Sequence, residues 1–260
     1  MLIESKDKYV STLTSLWNKV FDDSEDYIKL FFKEAYSDSH CFGKIVDDEV
    51  VSAFYLLKCI IKYDGKIYKG RYLYAAATLP EYRGKGLMGE LINEALRYAE
   101  NEKLDFIALV PASDSLYDFY SRFGFKEAMH KYKYTVSDDT ATLRAYREIT
   151  DSDEFCRIRS SADIDMLCFN DIGNSYAFES LRYYGTRVFY LNDDAYYAEN
   201  EELLCSDNET AANLIGNLCG ESEVYTNCFL AGAEKVRNGM IYAVNDKVEF
   251  KDIYMNIALD

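Results

Sequence analysis

Between a run of small residues and a run of helical periodicity stands Leu79-Pro80-Glu81-Tyr82-Arg83-Gly84-Lys85-Gly86-Leu87-Met88-Gly89. Two glycines flanking a lysine let the backbone take positive φ and approach a ligand closely. The first amides of a following helix have no partner inside it and, with the helix dipole, favour an anion. Arg83 and Lys85 add formal charge at the same place. The residue types therefore suit a phosphate, although a glycine turn with two solvated bases would carry the same letters. The spacing is neither GxxxxGK[ST] nor GxGxxG, so a Walker loop and a dinucleotide fingerprint are both excluded. Two histidines, His40 and His130, and seven scattered cysteines without a CxxC pair argue against a zinc site or a Ser-His-Asp triad. No metal is expected.

Such a loop needs a strand before it and a helix after it, and the periodicity supplies both. Leu87, Leu91, Ile92, Ala95, Leu96 and Ala99 recur at three and four residues, predicting a helix over 87–102. Upstream, the turn signal Asp64-Gly65 leads into a strand over 66–79 that Pro80 ends. Strands are also expected over 41–47 and 50–62 around Asp47-Asp48-Glu49. Before them come two amphipathic helices, over 6–21 and on to about 36. Asp22-Asp23-Ser24-Glu25 ends the first and caps the second. Phe106-Ile107-Ala108-Leu109-Val110 reads as a strand buried on both faces. A helix over 114–122 and a strand over 125–136 follow, giving the order α-α-β-β-β-α-β-α-β. Beyond 137, helices are expected over 140–148, 151–160, 176–184 and 208–219. Strands are expected over 187–192, 195–199, 201–206, 223–230, 239–244 and 253–259. That order loosely echoes the first half.

The chain of 260 residues is 49% hydrophobic and 28% charged, a folded protein long enough for two domains. Its net charge of −16 opposes non-specific nucleic-acid binding. The charge is uneven, near −2 over 1–136 and −14 over 137–260. This predicts two units, 1–137 and 138–260, with different tasks. The acidic unit could draw in a cationic substrate or simply present a solvated acidic surface. Apolar runs fall short of the ~18 residues a membrane helix needs, so no membrane partner is expected. The first residues lack a signal pattern, and an odd number of cysteines reads as reduced thiols in a cytoplasmic protein.

The stretch from Thr78 to Leu91 resembles motif A of the GNAT superfamily of N-acetyltransferases, R/Q-x-x-G-x-G/A. A second patch, Leu109 to Phe125, resembles the strand, helix and Y-x-x-x-G-F ending of that family at the right separation. The likeness extends to the two-domain bacterial branch related to the enhanced-intracellular-survival acetyltransferases. It implies an α/β acetyltransferase fold with a mixed, mostly antiparallel sheet, followed by a degenerate GNAT-like α/β domain. Consistent with that degeneracy, RxxGxG does not recur between Cys205 and the helix at 208–219. Members of that branch carry a further C-terminal unit, which 260 residues are not expected to contain in full.

The resemblance implies acetyl-coenzyme A as co-substrate, its pyrophosphate held by Arg83, Gly84, Lys85, Gly86, Leu87, Met88 and Gly89. Met88 departs from the motif's usual Gly or Ala, so its side chain must point away from the phosphates. Ala76, Ala77 and Thr78 match the strand that binds the pantetheine arm, and Ser113 and Ser115 match positions that often contact the cofactor. Tyr120 matches the tyrosine that protonates the leaving thiolate, and the terminal carboxylate of Asp260 matches a base used by related enzymes. His40, His130 and the acidic cluster at 22–26 are other candidates for the base. The implied reaction is direct N-acetylation of a small cationic amine in a ternary complex, by a monomer or homodimer. The alternatives are a non-catalytic acyl-coenzyme A module, and the same fold transferring a longer acyl chain or using a peptide N-terminus.

Overall fold

In the computed structural model, the described residues are 1–3, 6–136, 146–193, 195–199, 201–215, 222–244 and 248–255. The first half runs α1 (Val10–Phe21), α2 (Glu25–Glu34), β1 (His40–Val46), β2 (Glu49–Tyr63), β3 (Lys66–Thr78), α3 (Leu87–Asn101), β4 (Phe106–Leu109), α4 (Asp114–Ser121), β5 (Lys126–Glu127) and β6 (Met129–Val136). The second half runs β7 (Arg147–Ile149), α5 (Ser152–Ser161), β8 (Met166–Phe169), α6 (Asp171–Tyr183), β9 (Val188–Asn192), β10 (Ala195–Ala198), β11 (Glu202–Leu204), α7 (Asn208–Ile215), β12 (Ser222–Thr226), β13 (Glu234–Arg237), β14 (Met240–Ala243) and β15 (Ile253–Tyr254).

The order expected for the first half is present. Asp22 takes a left-handed φ of 58° and ends α1, and the Ser24 hydroxyl caps α2 by accepting from the Tyr27 amide at 3.1 Å. The second half departs in several places. Residues 147–149 form a strand where a helix over 140–148 was expected, and 140–145 lie outside the described residues. α6 starts at Asp171, capped by Asn170, five residues before the helix read over 176–184. Polar letters at Asn170, Asp171, Asn174 and Ser175 hide its first turns, yet Asn174 is buried with its amide donating to the Phe169 carbonyl. The short strands β8 and β13 were not anticipated. Strand β12 ends at Thr226, short of 230, and β15 spans Ile253–Tyr254, while residues 256–259 of the strand expected over 253–259 lie outside the described residues. Residues 216–219 of the expected helix over 208–219 lie outside the described residues.

All described strands join into one sheet, ordered β5-β14-β4-β3-β2-β8-β15-β6-β12-β11-β10-β9-β7. The long strand β2 explains how the halves meet. On the side away from β3, its first part pairs with β1 and its last part, Cys59 to Lys62, with β8. In return β14, late in the chain, pairs antiparallel with both β4 and β5. The two halves therefore exchange strands. Buried on both faces, β2 reads as an almost unbroken apolar run. Trp17, Phe31, Tyr55 and Tyr74 pack under α1, α2 and α6, while Phe54, Leu56, Leu73 and Ile107 pack under α3 and α4.

Where the exchanged strand enters, Gly239 adopts φ +136°, and a Cβ there would stand 2.8 Å from the Leu109 carbonyl oxygen. Only glycine accepts both constraints. Gly239→Ala should therefore cost more than the ~1–3 kcal/mol of backbone strain alone, read as a fall in the denaturant midpoint. A midpoint unchanged within error would show that the crossing is loose.

Candidate active site

The parallel pairing of β3 with β4 stops at Tyr72 opposite Ala108, although β3 continues six residues to Thr78. Beyond that point the strands part. On its other side β3 stays paired with β2, but between the pairs Ala77–Ala53 and Tyr74–Tyr55 two residues of β3, Ala75 and Ala76, face one of β2, Phe54. Ala75 absorbs the extra residue with φ +49°. Such a bulge re-aims backbone groups out of the ladder. Tyr74, just before it, is pinned by hydroxyl contacts to Tyr27 at 3.4 Å and Tyr176 at 3.1 Å, the latter from α6 of the second half.

The parting strands open a cleft of about 470 Å³. Tyr72 to Ala76 form one wall, and Leu109 to Ala112 with Leu116 and Tyr120 form the other. Trp17, Phe21, Asp23 and Asn238 complete it. Asn238 belongs to the second half. Its backbone N–H donates to the Met129 carbonyl at 2.9 Å and its side-chain amide to the Met255 carbonyl at 2.5 Å.

The glycine loop follows β3 directly. Residues Pro80–Tyr82 make a 3-10 turn, Gly84 has φ +74° and Gly86 φ +78°, and nothing lies within 4 Å of a Cβ built at either. Both glycines are thus required by the backbone, and the space above them is open. The Glu90 amide makes the first helical bond, to the Gly86 carbonyl at 3.0 Å. The amides of Leu87, Met88 and Gly89 precede that ladder and make a helix start of the kind that suits an anion. Arg83 Nε donates to the Thr78 carbonyl at 3.0 Å, which fixes the guanidinium beside the loop. The Lys85 ammonium lies 4.6 Å from the centre of the Tyr82 ring. Met88 packs with the core under α3, its side chain away from the loop, as the motif departure demands. A Cβ on Gly89 would stand 3.1 Å from Phe123, so this glycine serves helix packing.

The sequence-predicted residues divide accordingly. Ala76 and Tyr120 line the cleft, whereas Ala77 is buried and Thr78 bonds the Ser52 hydroxyl at 2.8 Å. Ser113 and Ser115 are exposed at the start of α4, 3.1 Å apart through their hydroxyls. Burial pushes the Tyr120 phenol up to about 12. Asp260 lies outside the described residues. His40 bonds the Tyr98 hydroxyl at 3.2 Å, and burial with nearby Lys235 holds His130 below the usual imidazole range; neither lines the cleft. Within the acidic cluster, Glu25 and Asp26 pair with Lys29, and Asp23 faces the cleft. Trp17, Ala75 and Asn238 were missed. Spacing signalled Trp17 only as a core residue, and no local pattern marks Ala75 or Asn238. Among the described residues no group of three or more metal-ligating side chains gathers.

A family model, Acetyltransferase (GNAT) domain, matches residues 2–128. No curated protein sequence matches the chain. Solved structures share the fold across 94% of this chain. Eis1 from Mycobacterium abscessus does so at 10% identity and TM-score 0.68, over 73% of its own length. A GCN5-related N-acetyltransferase from Kribbella flavida does so at 16% and 0.64, over 72%. A conserved protein from Enterococcus faecalis V583 does so at 14% and 0.68, over 71%. Identities this low carry the fold alone. They agree with a GNAT-like second domain in the two-domain arrangement.

Proposed function

Residues 2–128 belong to the GNAT acetyltransferase family, and on that premise we propose that the chain transfers an acetyl group from acetyl-coenzyme A to the primary amine of a small cationic substrate. The observation that carries this reading is the cleft between β3 and β4, lined on one side by Ala76 of the strand that leads into the glycine loop and on the other by Tyr120. In this reading 1–137 holds the cofactor in a cytoplasmic protein, and 138–260 supports it.

The loop amides and Arg83 hold the pyrophosphate, and the pantetheine arm follows β3 past Ala76. The bulge at Ala75 offers a backbone donor to the thioester oxygen, where charge develops. The substrate ammonium first gives up one proton. Its nitrogen then forms the C–N bond as the C–S bond breaks, and Tyr120 protonates the departing thiolate. The second nitrogen proton restores Tyr120 through solvent, so one proton is released per turnover. Asp260 is the proposed acceptor. It follows Met255 by five residues, a span of up to roughly 17 Å, and Met255 is tied to Asn238 in the cleft. Extending the chain beyond Asp260, which turns that terminal carboxylate into a neutral amide, should then shift the acid limb of the kcat–pH profile.

Calorimetric titration with acetyl-coenzyme A tests the cofactor reading. Arg83→Ala combined with Gly86→Asp should weaken binding at least about tenfold, roughly 1.4 kcal/mol. No binding by the unaltered protein would end the reading. Binding without thiol release across an amine panel would leave a non-catalytic acyl-coenzyme A module.

A further inference from the structure

We infer that the acceptor is a monocationic amine with a flat apolar body, such as an arylalkylamine, held by Asp23 against the aromatic side of the cleft. The inference rests on the proposed acetyl transfer and names the substrate class of that site. Among the described residues lining the cleft, Asp23 alone carries a formal charge, in a protein of net −16. Its carboxylate is fixed, because Oδ2 accepts from Trp17 Nε1 at 2.7 Å and Trp17 is only 3% exposed. A carboxylate accepts several hydrogen bonds, so Oδ1 remains available for one ammonium.

The rest of that end is aromatic. The Trp17 ring centre lies 5.8 Å from Phe21 and 5.6 Å from Tyr74, and Tyr72 joins the same wall. Phe21 is 39% exposed, leaving an apolar edge at the mouth. These faces attract both a flat apolar body and the cation attached to it. A polyamine entering the cleft would bury its second charge with no carboxylate to meet it, which is costly. A small hydrophilic amine would leave the aromatic wall wet. The acidic exterior concentrates a polyamine more than a monoamine, so a preference for the monoamine must come from the cleft.

The ammonium meets Asp23 on arrival, and the nitrogen attacks as the neutral amine. Asp23 therefore acts on binding more than on the chemical step. The test compares 2-phenylethylamine, ethanolamine and spermidine under saturating acetyl-coenzyme A, with thiol release as readout. The expected order puts kcat/KM for 2-phenylethylamine at least tenfold above the other two. Asp23→Asn keeps an acceptor for Trp17 and should raise the KM for 2-phenylethylamine tenfold or more with a smaller change in kcat. Thermal unfolding of the variant verifies its fold. Turnover that favours spermidine, or an unchanged KM in Asp23→Asn, overturns the inference while leaving acetyl transfer standing. Calorimetric binding of the three amines separates the opposite case. If the binding order holds without thiol release, the ligand class stands and the transfer reading falls.

Discussion

Tyr120→Phe is expected to lower kcat about 10²- to 10⁴-fold, the usual cost of losing a positioned acid, while acetyl-coenzyme A still binds. The substitution removes one oxygen from a ring that packs edge-on against Phe119 and Phe125 at 5.2 and 5.8 Å, so the packing survives. The glycine loop, proposed to hold the cofactor's pyrophosphate, is not part of the cleft lining around Tyr120 and is untouched. Burial raises the phenol to about 12, so the proton is held throughout the neutral range. It can be given to a thiolate whose acid has a pKa of about 8.5. The same shift fixes the sign of two pH effects. Tyr120 as acid fails only as pH approaches 12, so it should impose no alkaline fall in kcat below about pH 10. Because burial disfavours only the ionised phenol, the shift costs no stability below the ordinary pKa of 10.0 and lowers stability as pH rises from there through about 12. Steady-state kinetics on both proteins, with calorimetry for cofactor binding, checks the first claim. A kcat within threefold of the unaltered enzyme would remove Tyr120 from the chemistry.

What the sequence disclosed follows from the range of the interactions involved. The loop was legible because Gly84 and Gly86 answer local backbone demands and Met88 sits in a helical register whose core face is visible in the letters. The α-α-β-β-β-α-β-α-β order was legible for the same reason, since caps, turns and periodicity act within a few residues. The second half was less so. β8 has four residues and β15 two, and such pieces are strands only because β2 and β6 offer them edges. Arg147–Ile149 pairs with β9 some forty residues on, which no local helix propensity could reveal. The cleft itself shows the same division. Tyr120 and Ala76 were found by register with nearby motifs, whereas Asn238 reaches the cleft through a strand exchange. Asp23 was visible only as one of four similar acids. The bulge at Ala75 depends on a mismatch between two paired strands, a property of neither sequence alone.

The strand exchange makes the interior of the second half matter to the cleft, and Glu202 is where this can be measured. Arg159 and Glu202 are both fully buried and pair at 2.8 Å. Glu202 also accepts hydrogen bonds from Tyr196 and, at 2.7 Å, from Tyr254. One carboxylate thus gathers α5, β10 and β15, and β15 in turn bridges β8 to β6 across the junction of the halves. Two further nitrogens of Arg159, Nε and Nη2, have no hydrogen-bond partner among the described residues. The guanidinium already lacks part of its solvation, and Glu202 supplies its countercharge. Burial works to lower the Arg159 guanidinium, but the Glu202 carboxylate beside it holds it above its ordinary range, so it cannot escape by losing its proton. Glu202→Gln should therefore cost about 3–5 kcal/mol, the penalty for stranding one partner of a buried pair. That is a large share of the roughly 5–15 kcal/mol that holds a typical fold. The loss would appear as a lowered denaturant midpoint. Pairing Glu202→Leu with Arg159→Met should recover most of it, because the desolvation penalty disappears together with the attraction. If Glu202→Gln costs less than about 1 kcal/mol, the value of an ordinary exposed pair, the cluster is hydrated and does not brace the junction. If the single variant is costly and the double variant equally so, the three hydrogen bonds, and not the charges, hold β15 against the sheet.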